Sequence, residues 1–315
     1  MQKKIVQTLL FILISVSLLV ACGQAAEQPS GEAKLKLVAT TTIVGDIVAR
    51  VGGEWVDLSM LLPVGTDPHA FDPNPQDIAK VVEADLIFAN GVGLESFLDN
   101  LIEGAAAEAK LISVSEAVDL LFSQGNLQDH DADADQHAQE GADPHTWTNP
   151  NNVIIWVQEI EQALKEADPE NAAAYTANAA EYISELEELD TWIRAQVAMI
   201  HLEKRSLITD HTLFGYFVHE YGFEQVGTLI PGYSTLAEPT AQELAEIEDI
   251  IRELEVKAIF VGKTANPGLA ERVADDLGVE LVHLYTGSLS EAGGDAASYI
   301  EYMRYNTSAI VEALK

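Results

Sequence analysis

The chain has 315 residues, of which 48% are hydrophobic, and it carries 51 Asp and Glu against 17 Lys and Arg, a formal net charge of −34. This composition excludes a disordered chain and is typical of a globular protein with one large domain or two ordinary ones. The strong negative charge argues against nucleic acid or an anionic membrane surface as a partner.

The amino terminus has the features of a secretory signal. Two lysines precede an apolar run over residues 9–20, and Ala21 and Cys22 follow it. The run is too short to span about 30 Å of hydrocarbon comfortably as a helix. Its ending resembles the lipobox of bacterial lipoproteins, which implies removal of residues 1–21 and lipidation of Cys22. An ordinary signal followed by an incidental cysteine is the alternative.

Cys22 is also the only cysteine of the chain. With one cysteine, the chain cannot form an internal disulfide or a metal or redox site built from several cysteines. A single thiol at the export junction is explained if the lipid consumes it. Residues 22–34 are polar, have no apolar periodicity, and are predicted to form a tether between the lipid and the folded protein.

Strand-like and helix-like segments alternate from residue 35 onward. In the predicted amino-terminal lobe, 35–168, a helix is expected over 75–84, and strands over 35–40, 57–62, 85–90 and 110–113. In the predicted carboxy-terminal lobe, 204–315, helices are expected over 241–254 and 269–277, and strands over 206–209, 225–229, 258–261 and 280–285. Such alternation predicts two similar α/β lobes with parallel sheets.

A long helical segment separates the two lobes. Asn151 is a candidate cap for a first helix that stops near Asp168 and Pro169. Residues 170 to about 202 then continue without Gly or Pro, within a linking segment 169–203. A helix of that extent is roughly 45–50 Å long and would join the lobes as a rigid strut. A coiled-coil dimer helix is the alternative.

An acidic segment, 123–143, interrupts the first lobe. It contains His130 and His137 among several Asp and Glu, with almost no apolar residues. We therefore predict a surface loop.

A repeated pattern is the strongest functional signal in the sequence. Residues 67–71 read Asp-Pro-His-Ala-Phe, and residues 143–147 read Asp-Pro-His-Thr-Trp. The proline restricts the preceding Asp to extended conformations, which helps to fix the position of the histidine. The aromatic residue, Phe71 or Trp147, is a candidate wall for the site. His69 and His145 are therefore candidate metal ligands.

A third candidate, His211, follows the predicted strand 206–209. Ligands of open α/β sheets bind beyond the carboxyl ends of strands, so these three histidines are expected to converge in the cleft between the lobes. Imidazole suits zinc, copper, iron and nickel. Of the other histidines, His201 and His219 are interpreted as solvated or capping residues on helices, and His283 as a packed core residue of a strand.

These features resemble the metal-binding lipoproteins that serve ABC-type zinc and manganese importers, family 9 of the bacterial solute-binding proteins. The matching stretches are 65–69, 90–91 with Leu94 and Glu95, 143–147, 210–211 with Phe214 and Tyr216, 238–239, and 299–306. The resemblance implies two α/β lobes joined by a long helix, a buried metal between them, and delivery to a membrane permease. It also implies a monomer that is anchored by lipid outside the cytoplasm and is not an enzyme.

The metal and its fourth ligand are less constrained. Family members that favour manganese commonly have a carboxylate where this chain has His211, so the resemblance favours Zn²⁺, with Mn²⁺ as the alternative. The family often supplies a fourth ligand, an Asp, where this chain has Gly287. Either water completes the site or Glu291 or Asp295 reaches it; Gly287 could equally mark a tight turn.

Two other classes of function fit three histidines. A secreted zinc hydrolase would use the open coordination position for water, and Glu238 is then the candidate base. No His-Glu-x-x-His pattern supports that alternative. A surface interaction protein that is stabilised by metal is the third alternative.

Overall fold

The computed structural model describes residues 34–105, 109–122 and 141–315. The predicted signal, nearly all of the tether with Cys22, and most of the acidic loop with His130 and His137 lie outside the described residues. Within the described ranges, no helix combines the length and the apolar character needed to cross a membrane.

Two four-stranded parallel sheets form the framework, which confirms the predicted two-lobe α/β fold. The first sheet has the order β2-β1-β3-β4, and the second has the order β6-β5-β7-β8. The strands are β1 (Leu35–Ala39), β2 (Val56–Met60), β3 (Leu86–Ala89), β4 (Lys110–Ser113), β5 (Ser206–Thr209), β6 (Glu224–Thr228), β7 (Ala258–Gly262) and β8 (Glu280–Leu284). Every residue of the central strands β3 and β7 is buried, as expected for a parallel sheet covered on both faces.

Helices cover the sheets and fill the space between the lobes. They are α1 (Thr42–Gly52), α2 (Pro75–Glu83), α3 (Leu98–Ala105), α4 (Pro150–Ala167), α5 (Ala172–Val197), α6 (Gly215–Tyr221), α7 (Ala241–Glu253), α8 (Gly268–Leu277) and α9 (Tyr299–Leu314). Hydrogen bonds from capping residues explain where several helices begin. Asn74 and Asp77 form a capping box at α2, and Thr240 and Glu243 form another at α7.

Two predicted helix boundaries were wrong. The cap of α4 is Asn149, whose side chain accepts a hydrogen bond from Asn151 N, because Pro150 occupies the first helical position. The long helix α5 has 26 residues, or about 39 Å, rather than the predicted extent. It is shorter because residues 169–171 form a 3₁₀ turn before it and a turn follows Val197.

The apolar side of α5 is buried inside the same chain. Tyr175, Leu186, Leu189 and Ile193 are fully covered, and α5 packs against α4, α1 and α9. The coiled-coil alternative is therefore wrong, because the apolar side of α5 that would face a second chain is already packed against helices of this chain. The resulting core includes side chains from both sheets and from the helices between them, so the lobes share one hydrophobic layer.

Buried hydrogen bonds also tie the two lobes together near the carboxyl ends of the strands. The Tyr302 hydroxyl of α9 accepts from Trp147 Nε1 at 3.1 Å and donates to Thr286 O at 3.0 Å. The Tyr299 hydroxyl donates to Trp147 O at 2.7 Å. Leu289 N donates to the Thr42 hydroxyl at 2.9 Å. These contacts fix the loops that surround the candidate site.

Candidate metal centre

The structure brings the three predicted histidines together. His69 lies on the loop between β2 and α2, His145 lies just before α4, and His211 follows β5 by two residues. The ring centroids are 5.3 Å apart for His69 and His145, 5.6 Å for His69 and His211, and 5.2 Å for His145 and His211. One nitrogen from each ring lies within 4.8 Å of the others. Loops from both lobes therefore supply one compact cluster of imidazoles.

The spacing of the rings fits a metal ion. Nε2 of His69 and Nε2 of His145 are 3.2 Å apart. Two nitrogens on a tetrahedral zinc ion, each about 2.0–2.1 Å from it, would be about 3.3 Å apart. The Nε2 atom of His211 is buried without a hydrogen-bond partner among the described residues. A buried polar atom of this kind needs an explanation, and an ion between the rings would supply one.

Carboxylates orient two of the rings. Asp143 Oδ1 lies 2.7 Å from Nδ1 of His145 and also accepts the His145 backbone N–H at 3.0 Å. Asp210 Oδ1 lies 2.8 Å from Nδ1 of His211 and accepts its backbone N–H at 2.7 Å. When Nδ1 donates to a carboxylate, the lone pair of Nε2 is free for a metal. Sequence reasoning missed both acids as ring partners, although each lies one or two residues before its histidine.

Burial determines the charge state of the cluster. It lowers the pKa of His145 well below the usual value, assisted by the neighbouring His211 and His69. It lowers the pKa of His69 to about 4, again assisted by His211. Burial raises the pKa of Asp143 to about 8. Burial also opposes ionisation of Asp210, but hydrogen bonds from His211 and Gly262 outweigh it and lower its pKa. At neutral pH the His69 and His145 rings are thus neutral, as ligation requires.

The cavity beside the rings is very small. Its volume is about 10 Å³, close to the minimum that holds a single water molecule. Besides the histidines, its walls are Asp67, Pro68, Trp147, Leu213, Thr235, Thr264, Thr286 and Gly287. The cavity suits an ion and excludes an organic substrate. Trp147 is a wall as predicted, whereas the Phe71 ring packs 4.9 Å from that of Phe97 instead.

Gly287 is explained by a close approach rather than by unusual backbone angles. A Cβ at this position would lie 2.5 Å from Pro68 Cδ and 2.9 Å from Pro68 Cγ. Gly287 is not among the residues with positive φ. Pro68 therefore occupies the space into which a side chain at position 287 would project.

The other acidic candidates lie outside the centre. Glu291 and Asp295 are exposed, and within the described ranges only the three histidines form a cluster able to hold a metal. Glu238, the candidate base of a hydrolase, is also exposed and does not line the cavity. The hydrolase alternative therefore lacks its base.

The remaining described histidines are all exposed. His219 lies in the last turn of α6, as expected for a solvated residue. His201 precedes a 3₁₀ turn instead of lying on a helix. The prediction that His283 packs in the core was wrong, because β8 is an edge strand and this side chain points to solvent.

Comparisons of the sequence with known proteins identify its family. Residues 37–313 match the family model described as zinc-uptake complex component A, periplasmic (ZnuA). The manganese-binding lipoprotein MntA of Halalkalibacterium halodurans is 33% identical over 307 residues, which cover 96% of this chain and 97% of that protein.

Solved structures show the same fold. The periplasmic zinc-binding protein TroA from Treponema pallidum superimposes with a TM-score of 0.78 at 25% identity, covering 89% of this chain and 99% of TroA. The manganese-bound periplasmic metal-binding protein from Candidatus Liberibacter asiaticus gives a TM-score of 0.77 at 25% identity, covering 90% of this chain and 100% of that one. The chain therefore belongs to the ZnuA family, whose members are substrate-binding transport proteins and not enzymes.

Proposed function

We propose that this protein captures a divalent transition-metal ion outside the cytoplasm and delivers it to the permease of an ABC importer. His69, His145 and His211 are the proposed ligands. The observation that carries the proposal is the convergence of their ring nitrogens within 4.8 Å, in a cavity of about one ion. Family membership supports delivery to an importer, because the model that matches the chain describes an uptake complex.

Zinc is the proposed ion. Imidazole nitrogen is a good ligand for zinc, whereas manganese prefers oxygen donors. The carboxylates nearest to the rings are already occupied: Asp143 and Asp210 bind Nδ1 atoms, and Asp67 accepts two other hydrogen bonds. With three imidazoles, the fourth position is left to water or to a threonine hydroxyl of the cavity wall.

Manganese is the second candidate, because several similar proteins carry that metal in their names. MntA and the PsaA lipoprotein of Streptococcus mitis are both named for manganese. If the ion is manganese, we expect additional oxygen ligands from solvent.

Competition between the two ions tests the choice. Metal-free protein is titrated with Zn²⁺ and with Mn²⁺ against a chelator of known affinity for each. We expect one tight zinc site and much weaker manganese binding. The matched control is His283→Ala, an exposed histidine on β8, which should bind like the wild type, whereas His145→Ala should not. Tight binding in His145→Ala would remove the proposed site.

The sequence of the amino terminus supports a location outside the cytoplasm. We propose that residues 1–21 are a signal peptide and that lipidated Cys22 anchors the mature protein to the membrane through the tether 22–34. The protein would then act as a monomer beside its permease, with no role for nucleic acid. Metabolic labelling with a radioactive fatty acid tests the anchor, since Cys22→Ser should remove the label.

A further inference from the structure

His69 differs from the other two proposed ligands in how it is held. His145 and His211 each have a carboxylate on Nδ1 and are almost fully buried, with 1% and 3% of their surface exposed. His69 is only partly buried, and among the described residues no carboxylate is hydrogen-bonded to its ring. Asp67 Oδ1 instead accepts the His69 backbone N–H at 3.0 Å. The position of this ring therefore depends on the position of its loop.

That loop belongs to the first lobe, but side chains of the second lobe hold its tip. The Thr235 hydroxyl donates to Asp67 Oδ2 at 2.6 Å. Gly65 N donates to the Ser288 hydroxyl at 2.8 Å. The first-lobe contact of the Phe71 ring lies further along the loop. Of these two hydrogen bonds from the second lobe, the one from Thr235 is nearer to His69 and is made to a carboxylate.

Thr235 lies on the segment 231–239, which crosses the cleft beside the cavity. Gly232 O accepts the N–H of Thr212, the residue after His211. The Tyr233 ring lies 6.4 Å from that of His145. Thr235 lines the cavity and reaches Asp67. Segment 231–239 thus lies close to His211 and to His145. It also holds Asp67, whose carboxylate accepts the backbone N–H of His69.

We propose that Thr235 is the positioning residue for His69, and that breaking its hydrogen bond to Asp67 frees His69 when the metal leaves. Asp67 uses one oxygen for the His69 backbone and the other for Thr235, so the two bonds share one rigid carboxylate. Separation of segment 231–239 from the loop would release the carboxylate and loosen the one ligand that has no acid on its ring. This inference rests on the proposed function.

The test is the rate at which Zn²⁺ leaves the full-length protein, followed by stopped-flow capture in a chromogenic chelator. Thr235→Val keeps the shape of the side chain and removes the donor. We expect release about tenfold faster, because a hydrogen bond to a charged group is lost. Thr235→Ser should restore the wild-type rate. The matched control is Ser234→Ala, since the one hydrogen bond of the Ser234 hydroxyl to the described part of the chain is accepted from the Leu236 N–H of its own segment.

A double-mutant cycle shows whether Thr235 acts through Asp67. In the Asp67→Asn background, Thr235→Val should accelerate release much less than it does in the wild type. The metal-free variants should still unfold in one cooperative transition well above the assay temperature, which separates positioning of His69 from loss of the fold.

Three results would overturn the inference: an unchanged release rate in Thr235→Val, equal acceleration in Ser234→Ala, or full additivity with Asp67→Asn. Failure of the proposed function gives a different result, because the wild-type protein itself would then hold no zinc to release.

Discussion

Replacing Gly287 by alanine tests whether the close approach of Pro68 positions the neighbouring His69. The new Cβ would lie 2.5 Å from Pro68 Cδ. Non-bonded carbons rest about 3.5–4.0 Å apart, so Pro68 has to move by about 1 Å. Metal–nitrogen distances tolerate only about 0.2 Å, and His69 is the next residue. We expect the zinc affinity to fall about 10–100-fold, as when groups that support a ligand are removed.

The assay is a chelator competition with Zn²⁺ and Mn²⁺ on the wild type, Gly287→Ala and Gly287→Asp. Both variants carry the same Cβ, but only the aspartate adds an oxygen donor. If its carboxylate reaches the ion, Gly287→Asp should bind manganese better, relative to zinc, than Gly287→Ala does. Wild-type zinc affinity in Gly287→Ala would refute the reasoning, because Pro68 would then move without disturbing the site.

Three further predictions concern the proposed ligands, the protons that compete with the metal, and the proposed lipid anchor. Alanine at any one of the three proposed ligands should weaken zinc binding at least 100-fold in a chelator competition, an effect expected to exceed the roughly 10–100-fold range for supporting groups. Because burial raises the pKa of Asp143 to about 8, zinc binding should release a proton from this carboxyl group, and the dissociation constant should rise as the pH falls below 8. Burial lowers the pKa of His69 to about 4 and that of His145 well below its usual value, so protons should compete for these two rings only in strongly acidic solution; competition at both rings near pH 6.5 would contradict this. Cys22→Ser should move the exported protein from the membrane fraction to the soluble fraction, as shown by immunoblotting.

The sheets were predictable because their strands are short and parallel, and because the central strands β3 and β7 are fully buried. β4 and β5 have the predicted bounds, and the other strands differ from the prediction by one or two residues at one or both ends. A fully buried strand such as β7 appears in the sequence as a short, continuous run of apolar residues. The run is too short for a typical helix, so its length favours a strand.

The errors arose where local sequence admits two structures. Asn149 and Asn151 both lie next to Pro150 and both can cap a helix; the proline, which favours the first helical position, decides for Asn149. His283 has apolar neighbours on β8, as a core residue would, but β8 lies at the edge of its sheet. The order of the strands determines that exposure, and it cannot be read from the strand itself.

Some features of the candidate site can likewise be predicted from the local sequence, whereas others depend on contacts between distant residues. Each proposed ligand follows an aspartate by one or two residues, a spacing that allows one carboxylate oxygen to accept both the backbone N–H and ring Nδ1 of the histidine. Asp143 and Asp210 make both bonds, so this signal was present in the sequence. Asp67 has the same spacing as Asp143 but makes only the backbone bond, because its other oxygen accepts from Thr235, 168 residues away. The three aspartates have similar positions in the sequence, but Asp143 and Asp210 orient histidine rings whereas Asp67 joins the two lobes. The difference depends on which residues the fold brings next to each aspartate. The contact between the lobes can therefore be found only in the structure.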